Sequence, residues 1–121
     1  MYQRILVGTD GSSTAARAVA RAAEVAAATG ASLTVVTAGS GPRAERVVSE
    51  AVEGLGGLSL QTKVLAGDPA DALIEEAASG YDLLVVGNKG MAGISRFLLG
   101  SVPNKVSHHT PCPLLIVHTT G

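Results

Sequence analysis

Five short apolar runs alternate along this chain with four segments of helical periodicity. The intervals between successive runs are too long for hairpins, so the sequence predicts strands that pair in parallel through right-handed crossovers. Helices on such crossovers cover both faces of the sheet. We therefore predict that residues 1–121 form one α/β domain, a three-layer, doubly wound structure around a five-stranded parallel sheet.

The predicted strands differ in how apolar they are, and this difference predicts their order. Strands are predicted at residues 4–8, 33–38, 58–66, 82–86 and 114–118. The first and fourth are the most apolar and are placed at the centre, whereas the third alternates apolar and polar side chains and is placed at an edge. The predicted order is therefore 3-2-1-4-5.

Capping residues and turn residues mark the ends of the predicted helices. The helices are predicted to start after Ser12 or Ser13, at Pro42, after Asp68 and after Ser101, and to end near Gly30, Leu55, Gly80 and His109. In the first of them, Val19, Ala22 and Ala26 form an apolar face. The alternation of strand and helix is thus complete from end to end.

Composition excludes several classes of function. The net charge is −1 with no basic run, so the electrostatic footprint of a protein that binds nucleic acid or a membrane surface is lacking. No stretch reaches the roughly 18 apolar residues that cross a bilayer, and no secretory segment precedes the first strand. The single cysteine, Cys112, cannot form an internal disulfide. We expect a cytoplasmic protein.

The predicted strand order also predicts where a ligand binds. In the order 3-2-1-4-5 the winding reverses between the first and fourth strands, and ligands bind at this switch point, beyond the carboxyl ends of the strands. Two turns border it: residues 8–11, after the first strand, and the stretch that begins at Gly87, after the fourth.

The stretch after the fourth strand is rich in glycine. It contains Gly87 and Gly90 and closes with Gly100, Ser101 and Pro103. Glycines let backbone N–H groups approach an anion, and a helix that starts after Ser101, with Pro103 in its first turn, offers further N–H donors. The spacing matches neither a P-loop nor a G-x-G-x-x-G dinucleotide site. Together the two features predict phosphate binding, although each alone is typical of a simple turn or cap.

The spacing G-x2-G-x9-G-S, from Gly87 to Ser101, resembles that of universal stress proteins of the ATP-binding type. The segments at residues 5–12 and 106–117 extend the resemblance over nearly the whole chain. It implies an adenine nucleotide alpha hydrolase-like, Rossmann-like fold that binds ATP, with or without Mg²⁺. It also implies a non-enzymatic, nucleotide-dependent role in the stress response and a homodimer formed through the strand at 114–118.

The resemblance assigns roles to single positions. It implies that the glycine stretch and Ser101 hold phosphates and ribose, that Gly8 and Thr9 line the pocket wall, and that the backbone of Ala38 contacts adenine. Asp10 would accept from ribose hydroxyls or hold a divalent cation; the alternative is a turn residue that binds its own backbone. The predicted nucleotide-binding residues are Gly8, Thr9, Asp10, Ala38, Gly87, Asn88, Gly90, Gly100, Ser101 and Val102.

Other interpretations of the site remain open. The segment from Gly100 to Pro103 and the end of the chain also resemble family members that bind cyclic AMP. A slow ATPase or an autophosphorylating enzyme would use Ser101 as acceptor or Asp10 as metal ligand, but no general base is evident. A dimerising module with a vestigial pocket is a third reading. Lys89 and Arg96 can neutralise phosphate, although charged loop residues are usually just solvated.

Two further features bear on the site. His108, His109 and Cys112 raise the question of a metal, but histidines at a helix carboxyl end are favoured by the helix dipole, and we predict no metal site. No histidine lies at the pocket turns, so Ser-His-Asp hydrolysis is not expected. The loop at residues 39–41 is shorter than in the proteins that the chain resembles, which predicts a reduced or missing lid over the base.

Overall fold

The computed structural model describes residues 2–88 and 101–118. Strands and helices alternate as predicted. They are β1 (Arg4–Gly8), α1 (Ser13–Thr29), β2 (Ser32–Ala38), α2 (Gly41–Ala51), β3 (Leu60–Leu65), α3 (Pro69–Ala77), β4 (Leu83–Gly87), α4 (Ser101–His109) and β5 (Leu114–Val117). All neighbouring strands pair in parallel, in the order β3-β2-β1-β4-β5. The predicted fold class and strand order are confirmed.

Side chains on the two faces of the sheet form two separate cores. Successive residues of a strand point to opposite faces, so Ile5 and Val7 join the core beneath α1, whereas Leu6 joins the core beneath α3 and α4. Leu73 of α3 and Val106 of α4 are fully buried in this second core. The sheet is thus covered by helices on both faces, as a parallel sheet requires.

Helix α1 packs closely on the sheet because small residues line its buried face. Ala18, Ala22 and Ala26 are fully buried there. The helix begins after Ser12, whose Oγ accepts a hydrogen bond from Ala15 N at 3.1 Å, and it ends at Gly30 with φ 75°. No helix in the ranges 2–88 and 101–118 is long and apolar enough to cross a membrane.

Several predicted boundaries are corrected by the structure; among them, β4 covers Leu83–Gly87 rather than 82–86, so Gly87 belongs to the strand. Helix α2 ends at Ala51 rather than Leu55, because the chain turns through Gly54 at φ 81°. Strand β3 covers Leu60–Leu65 rather than 58–66, since a second turn at Gly57 precedes it. Helix α4 begins at Ser101 itself, so Ser101 lies in the first turn and not in the position before it.

Candidate functional site

A cavity of about 490 Å³ lies at the carboxyl ends of β1 and β2. The turn after β1, the end of β2 and the beginning of α2 form its walls. The residues that line it are Asp10, Gly11, Ser12, Thr37, Ala38, Gly39, Ser40, Arg43, Ala44 and Val47. The cavity therefore borders the switch point between β1 and β4, where the strand order predicts a ligand.

Asp10 is held at the cavity wall by a local hydrogen bond. Its Oδ1 accepts from Ser12 N at 2.9 Å, and the residue is half-buried. This bond between the side chain and the backbone of its own turn is the predicted alternative to ligand binding. The carboxylate nevertheless lines the cavity, and no other hydrogen bond or ion pair to it occurs within residues 2–88 and 101–118. One carboxylate can thus shape the turn and still accept from a ligand.

The turn that carries Asp10 depends on the glycine that follows it. Gly11 has φ 84°, a conformation that L side chains rarely adopt. A Cβ at this position would lie 3.2 Å from Cγ2 of Val47, on the opposite wall formed by α2. Gly11 therefore permits both the sharp turn after β1 and the close approach of α2.

Ala38 reaches the cavity because β2 continues two residues further than its neighbour β1, whose last residue, Gly8, pairs with Val36. Gly39 N donates to Leu65 O at 2.9 Å, so β2 stays paired with β3 up to its last residue, Ala38. Gly41, with φ 77°, then begins α2 at once. The short connection places both the backbone of Ala38 and the first turn of α2 on the cavity wall.

Gly8 and Thr9 lie beneath the site rather than on the wall of this cavity. Thr9 N donates to Val36 O at 2.9 Å, and its Oγ1 accepts from Gly11 N at 3.1 Å. Thr9 is 1 % exposed and contacts a second cavity, of about 340 Å³, between α1 and α2. Gly8 is buried and pairs with Val36 in the sheet. Both residues support the turn that carries Asp10.

The other side of the switch point is formed by the carboxyl end of β4 and the beginning of α4. Gly87 is the last residue of β4, and Asn88 N donates to Val117 O at 2.9 Å. Helix α4 begins at Ser101. The predicted residues Gly90 and Gly100, together with Lys89 and Arg96, lie outside the described residues, as do the side chains of Ser101 and Val102.

Some cavity residues were not predicted from the sequence. Thr37, Ser40 and Arg43 line the cavity although only their neighbours were assigned to the site. Arg43 is exposed and forms no ion pair within the part of the chain that the structure describes. Its position, in the first turn of a helix that follows β2 after only two residues, is a signal that could have identified it.

The histidines and the cysteine near α4 form no cluster suited to a metal. Within residues 2–88 and 101–118, no group of three or more His, Cys, Asp or Glu side chains could hold a metal ion. The rings of His108 and His109 lie 6.4 Å apart and are tilted by 59°. Burial raises the pKa of the Cys112 thiol above its usual value, which disfavours the thiolate that metals and electrophiles require.

Comparisons with known proteins all lead to one family. The model of the universal stress protein family matches residues 1–48 and 38–118. Universal stress protein Rv1636 from Mycobacterium tuberculosis is 37% identical over 144 positions, which cover 98% of each chain. The universal stress protein in QAH/OAS sulfhydrylase 3'region from Thermus aquaticus is 35% identical over 136 positions, covering 97% of this chain and 99% of its own.

Solved structures with the same fold include two with nucleotides. A universal stress protein in complex with cAMP has 35% identity and a TM-score of 0.83, covering 98% of this chain and 99% of its own. The universal stress protein from Archaeoglobus fulgidus in complex with dAMP has 25% identity and a TM-score of 0.78, covering 95% and 97%.

The comparisons also show that this chain is shorter than a relative. The alignment with the mycobacterial relative has 144 positions, whereas this chain has 121 residues, so at least 23 positions have no residue here. The family match divides into two parts that overlap at residues 38–48, which run from the last residue of β2 into α2.

Proposed function

This chain belongs to the universal stress protein family, and we propose that it binds an adenine nucleotide, with ATP as the leading candidate, at the carboxyl ends of β1, β2 and β4. One observation carries the proposal: the cavity between Asp10 and Ala38 borders the switch point of the sheet. Its volume of about 490 Å³ falls within the range of roughly 300–1,000 Å³ found for small-molecule sites.

The residues present suit the parts of such a ligand. The carboxylate of Asp10 suits ribose hydroxyls, which donate hydrogen bonds, and it is also the type of oxygen ligand that Mg²⁺ prefers. Ala38, Ala44 and Val47 offer an apolar floor for a purine. The phosphates would extend toward Gly87 and the beginning of α4, where the glycine spacing predicts backbone donors.

Adenine is the common element of the ligands in the two similar structures, which hold cAMP and dAMP. This supports an adenine nucleotide for the present chain. The cAMP complex also favours cyclic AMP as a second candidate ligand. A cyclic phosphate carries a single negative charge and needs fewer donors than a triphosphate, so comparing the two ligands tests how much the glycine stretch contributes.

We propose that occupancy of the site, rather than turnover, is the functional output. Of the described residues that line the cavity, none is a histidine and only Asp10 is a carboxylate, so a pair of groups for acid–base work is lacking there. The bound nucleotide would then alter the conformation or the choice of partner in a stress response. Slow hydrolysis or autophosphorylation is the alternative.

The proposed form in solution is a homodimer that pairs through β5. This strand lies at the edge of the sheet, and Leu114, Leu115 and Ile116 are only half-buried. An apolar edge strand with open ladder positions favours pairing with a second strand. A symmetric dimer satisfies both the backbone groups and the apolar side chains. The cytoplasmic location stays a prediction.

Isothermal titration of the purified protein against ATP, ADP, AMP and cyclic AMP, with and without Mg²⁺, tests the proposed function. In Asp10→Asn the Oδ1 contact to Ser12 N can persist while the charge is lost, so the turn is retained. We expect this variant to bind ATP roughly 5- to 30-fold more weakly, because a hydrogen bond to a charged acceptor is exchanged for a weaker one to a neutral acceptor, a difference of about 1–2 kcal/mol.

Glu45→Gln is the matched control, because Glu45 is an exposed residue of α2 that does not line the cavity. Its affinity for ATP should equal that of the wild type. Absence of binding to all four nucleotides would refute the proposal. Release of phosphate at a rate that depends on Mg²⁺ would replace it with an enzymatic function.

A further inference from the structure

Arg43 is the only positively charged side chain among the described residues that line the cavity. It is the third residue of α2, which follows β2 after a very short loop. Only residues 39 and 40 separate the two elements. The short connection therefore brings an arginine directly to the cavity wall.

The surroundings leave the guanidinium of Arg43 available to a ligand. Asp10 lies on the same cavity, yet the two residues form no ion pair, and Arg43 has none with any other described residue. Arg21, by contrast, pairs with Glu24 at 2.9 Å. A ligand that enters the cavity thus meets Asp10 on the β1 side and Arg43 on the α2 side.

The side of the sheet from which Arg43 comes decides which part of a nucleotide it meets. Strands β2 and β4 flank β1, so their ends lie two strand spacings apart, roughly 10 Å. The proposed phosphate site follows β4, whereas Arg43 belongs to the connection after β2. The base, which lies against Ala38 in the proposed function, is therefore the part nearest to Arg43.

The cavity has an apolar floor for a purine but no aromatic side chain to cover it. None of the described residues that line it is aromatic. An arginine side chain can take this role, because its guanidinium is planar, weakly hydrated and stacks on aromatic rings. The same chain contains such a contact, since the Cζ of Arg4 lies 4.3 Å from the centroid of the Tyr81 ring.

We propose that Arg43 stacks on the exposed face of the bound purine and serves as the cover of the base. This inference rests on the proposed function and adds a residue that sets affinity for the base. Arg43 contacts the purine ring, so its contribution to the binding affinity does not depend on the number of phosphates.

The test measures the affinity of wild type, Arg43→Ala, Arg43→Lys and Arg46→Ala for adenosine, AMP and ATP by calorimetry. Arg46 is an exposed residue of the same helix that does not line the cavity, and it serves as the control. We expect Arg43→Ala to weaken binding roughly 3- to 10-fold, by the same factor for all three ligands. Arg43→Lys should restore little of the loss, because it retains the charge but not the plane, and Arg46→Ala should bind as the wild type does.

The outcomes separate this inference from the function on which it rests. If the wild type binds none of the three ligands, both are overturned. If the wild type binds and Arg43→Ala binds equally well, only the stacking inference is wrong. A loss that grows from adenosine to ATP, or full rescue by Arg43→Lys, would show that Arg43 acts on phosphate charge and would also overturn it.

Discussion

Asp82 and Arg4 are joined by two hydrogen bonds between the starts of the two central strands. Asp82 N donates to Arg4 O at 2.9 Å, and Asp82 Oδ1 accepts from Arg4 N at 3.1 Å. The second carboxylate oxygen, Oδ2, accepts from Gln3 N at 2.9 Å. One side chain thus satisfies two backbone donors that the ladder between β1 and β4 leaves unpaired, at the opposite end of the sheet from the cavity.

Removing this carboxylate should destabilise the fold. We expect Asp82→Ala to lower the free energy of unfolding by roughly 1–3 kcal/mol, because hydrogen bonds to a charged acceptor are lost at one partly buried donor, Arg4 N, and one exposed donor, Gln3 N. Asp71→Ala is the control: Asp71 lies on the surface and its ion pair with Lys105, at 2.7 Å, is exposed and screened by solvent, so the loss of stability should be clearly smaller. Urea unfolding measures both, and equal losses in the two variants would contradict the role of Asp82.

Much of the fold could be predicted because burial follows apolar content strand by strand. Ile5, Leu6 and Val7 of β1 are fully buried, whereas Gln61 and Lys63 of β3 are exposed, as expected for a central and an edge strand. The end of α2 could not be predicted in this way. Leu55 has helical spacing and packs on the core, but it lies in a turn after the helix. The periodicity of apolar residues alone does not distinguish a residue in the helix from one in such a turn.

The candidate site was predictable to the extent that it depends on strand ends. Asp10 follows β1 and Ala38 is the last residue of the neighbouring β2, and both line the cavity. Thr9 has the same sequence signal, but its hydroxyl is bound by Gly11 N within the turn. Arg43 was missed because a charged residue in the first turn of a helix is ordinarily solvated, although the short connection before α2 indicated that this turn lies beside the cavity.

The stability of the protein should depend on pH through Glu76. Burial raises the pKa of this carboxyl, but hydrogen bonds from Lys63 Nζ at 2.7 Å and Tyr81 Oη at 2.9 Å outweigh burial and hold the pKa below its usual 4.5. A lowered pKa in the folded state means that ionised Glu76 stabilises the fold above pH 4.5, and that this contribution is lost as the pH falls through the folded value.

We therefore expect Glu76→Gln to cost roughly 1–2 kcal/mol at pH 7, allowing for the partial exposure of Lys63, and less at pH 3. The free energy of unfolding in urea, measured at several pH values between 3 and 7, checks this. Glu75→Gln changes an exposed neighbour and should show no such trend. A cost for Glu76→Gln that is the same at pH 3 and pH 7 would exclude the coupling.

Helix α4 is anchored to the sheet through Val106, which is fully buried in the core that also contains Leu73 and Leu84. Val106→Ala leaves a cavity at this point, and we expect it to lower the free energy of unfolding by roughly 2–3 kcal/mol. The adjacent Ser107 is exposed, so Ser107→Ala should change stability by less than about 0.5 kcal/mol. Thermal and urea unfolding of the two variants would detect the difference, and a Val106→Ala protein as stable as Ser107→Ala would show that α4 is not held in this way.

The proposed dimer can be tested through the backbone of β5. Pro113 O accepts from Leu84 N and Val117 O accepts from Asn88 N, both at 2.9 Å, so odd-numbered residues of this strand face β4. Because backbone groups alternate along a strand, the N–H of Ile116 points to the open edge.

Ile116→Pro removes that donor without removing a bond to β4, whereas Ile116→Ala removes the side chain and retains the donor. Light scattering after gel filtration should give a dimer for the wild type and for Ile116→Ala, and a monomer for Ile116→Pro. A monomeric wild type, or a dimeric Ile116→Pro, would exclude pairing through this edge.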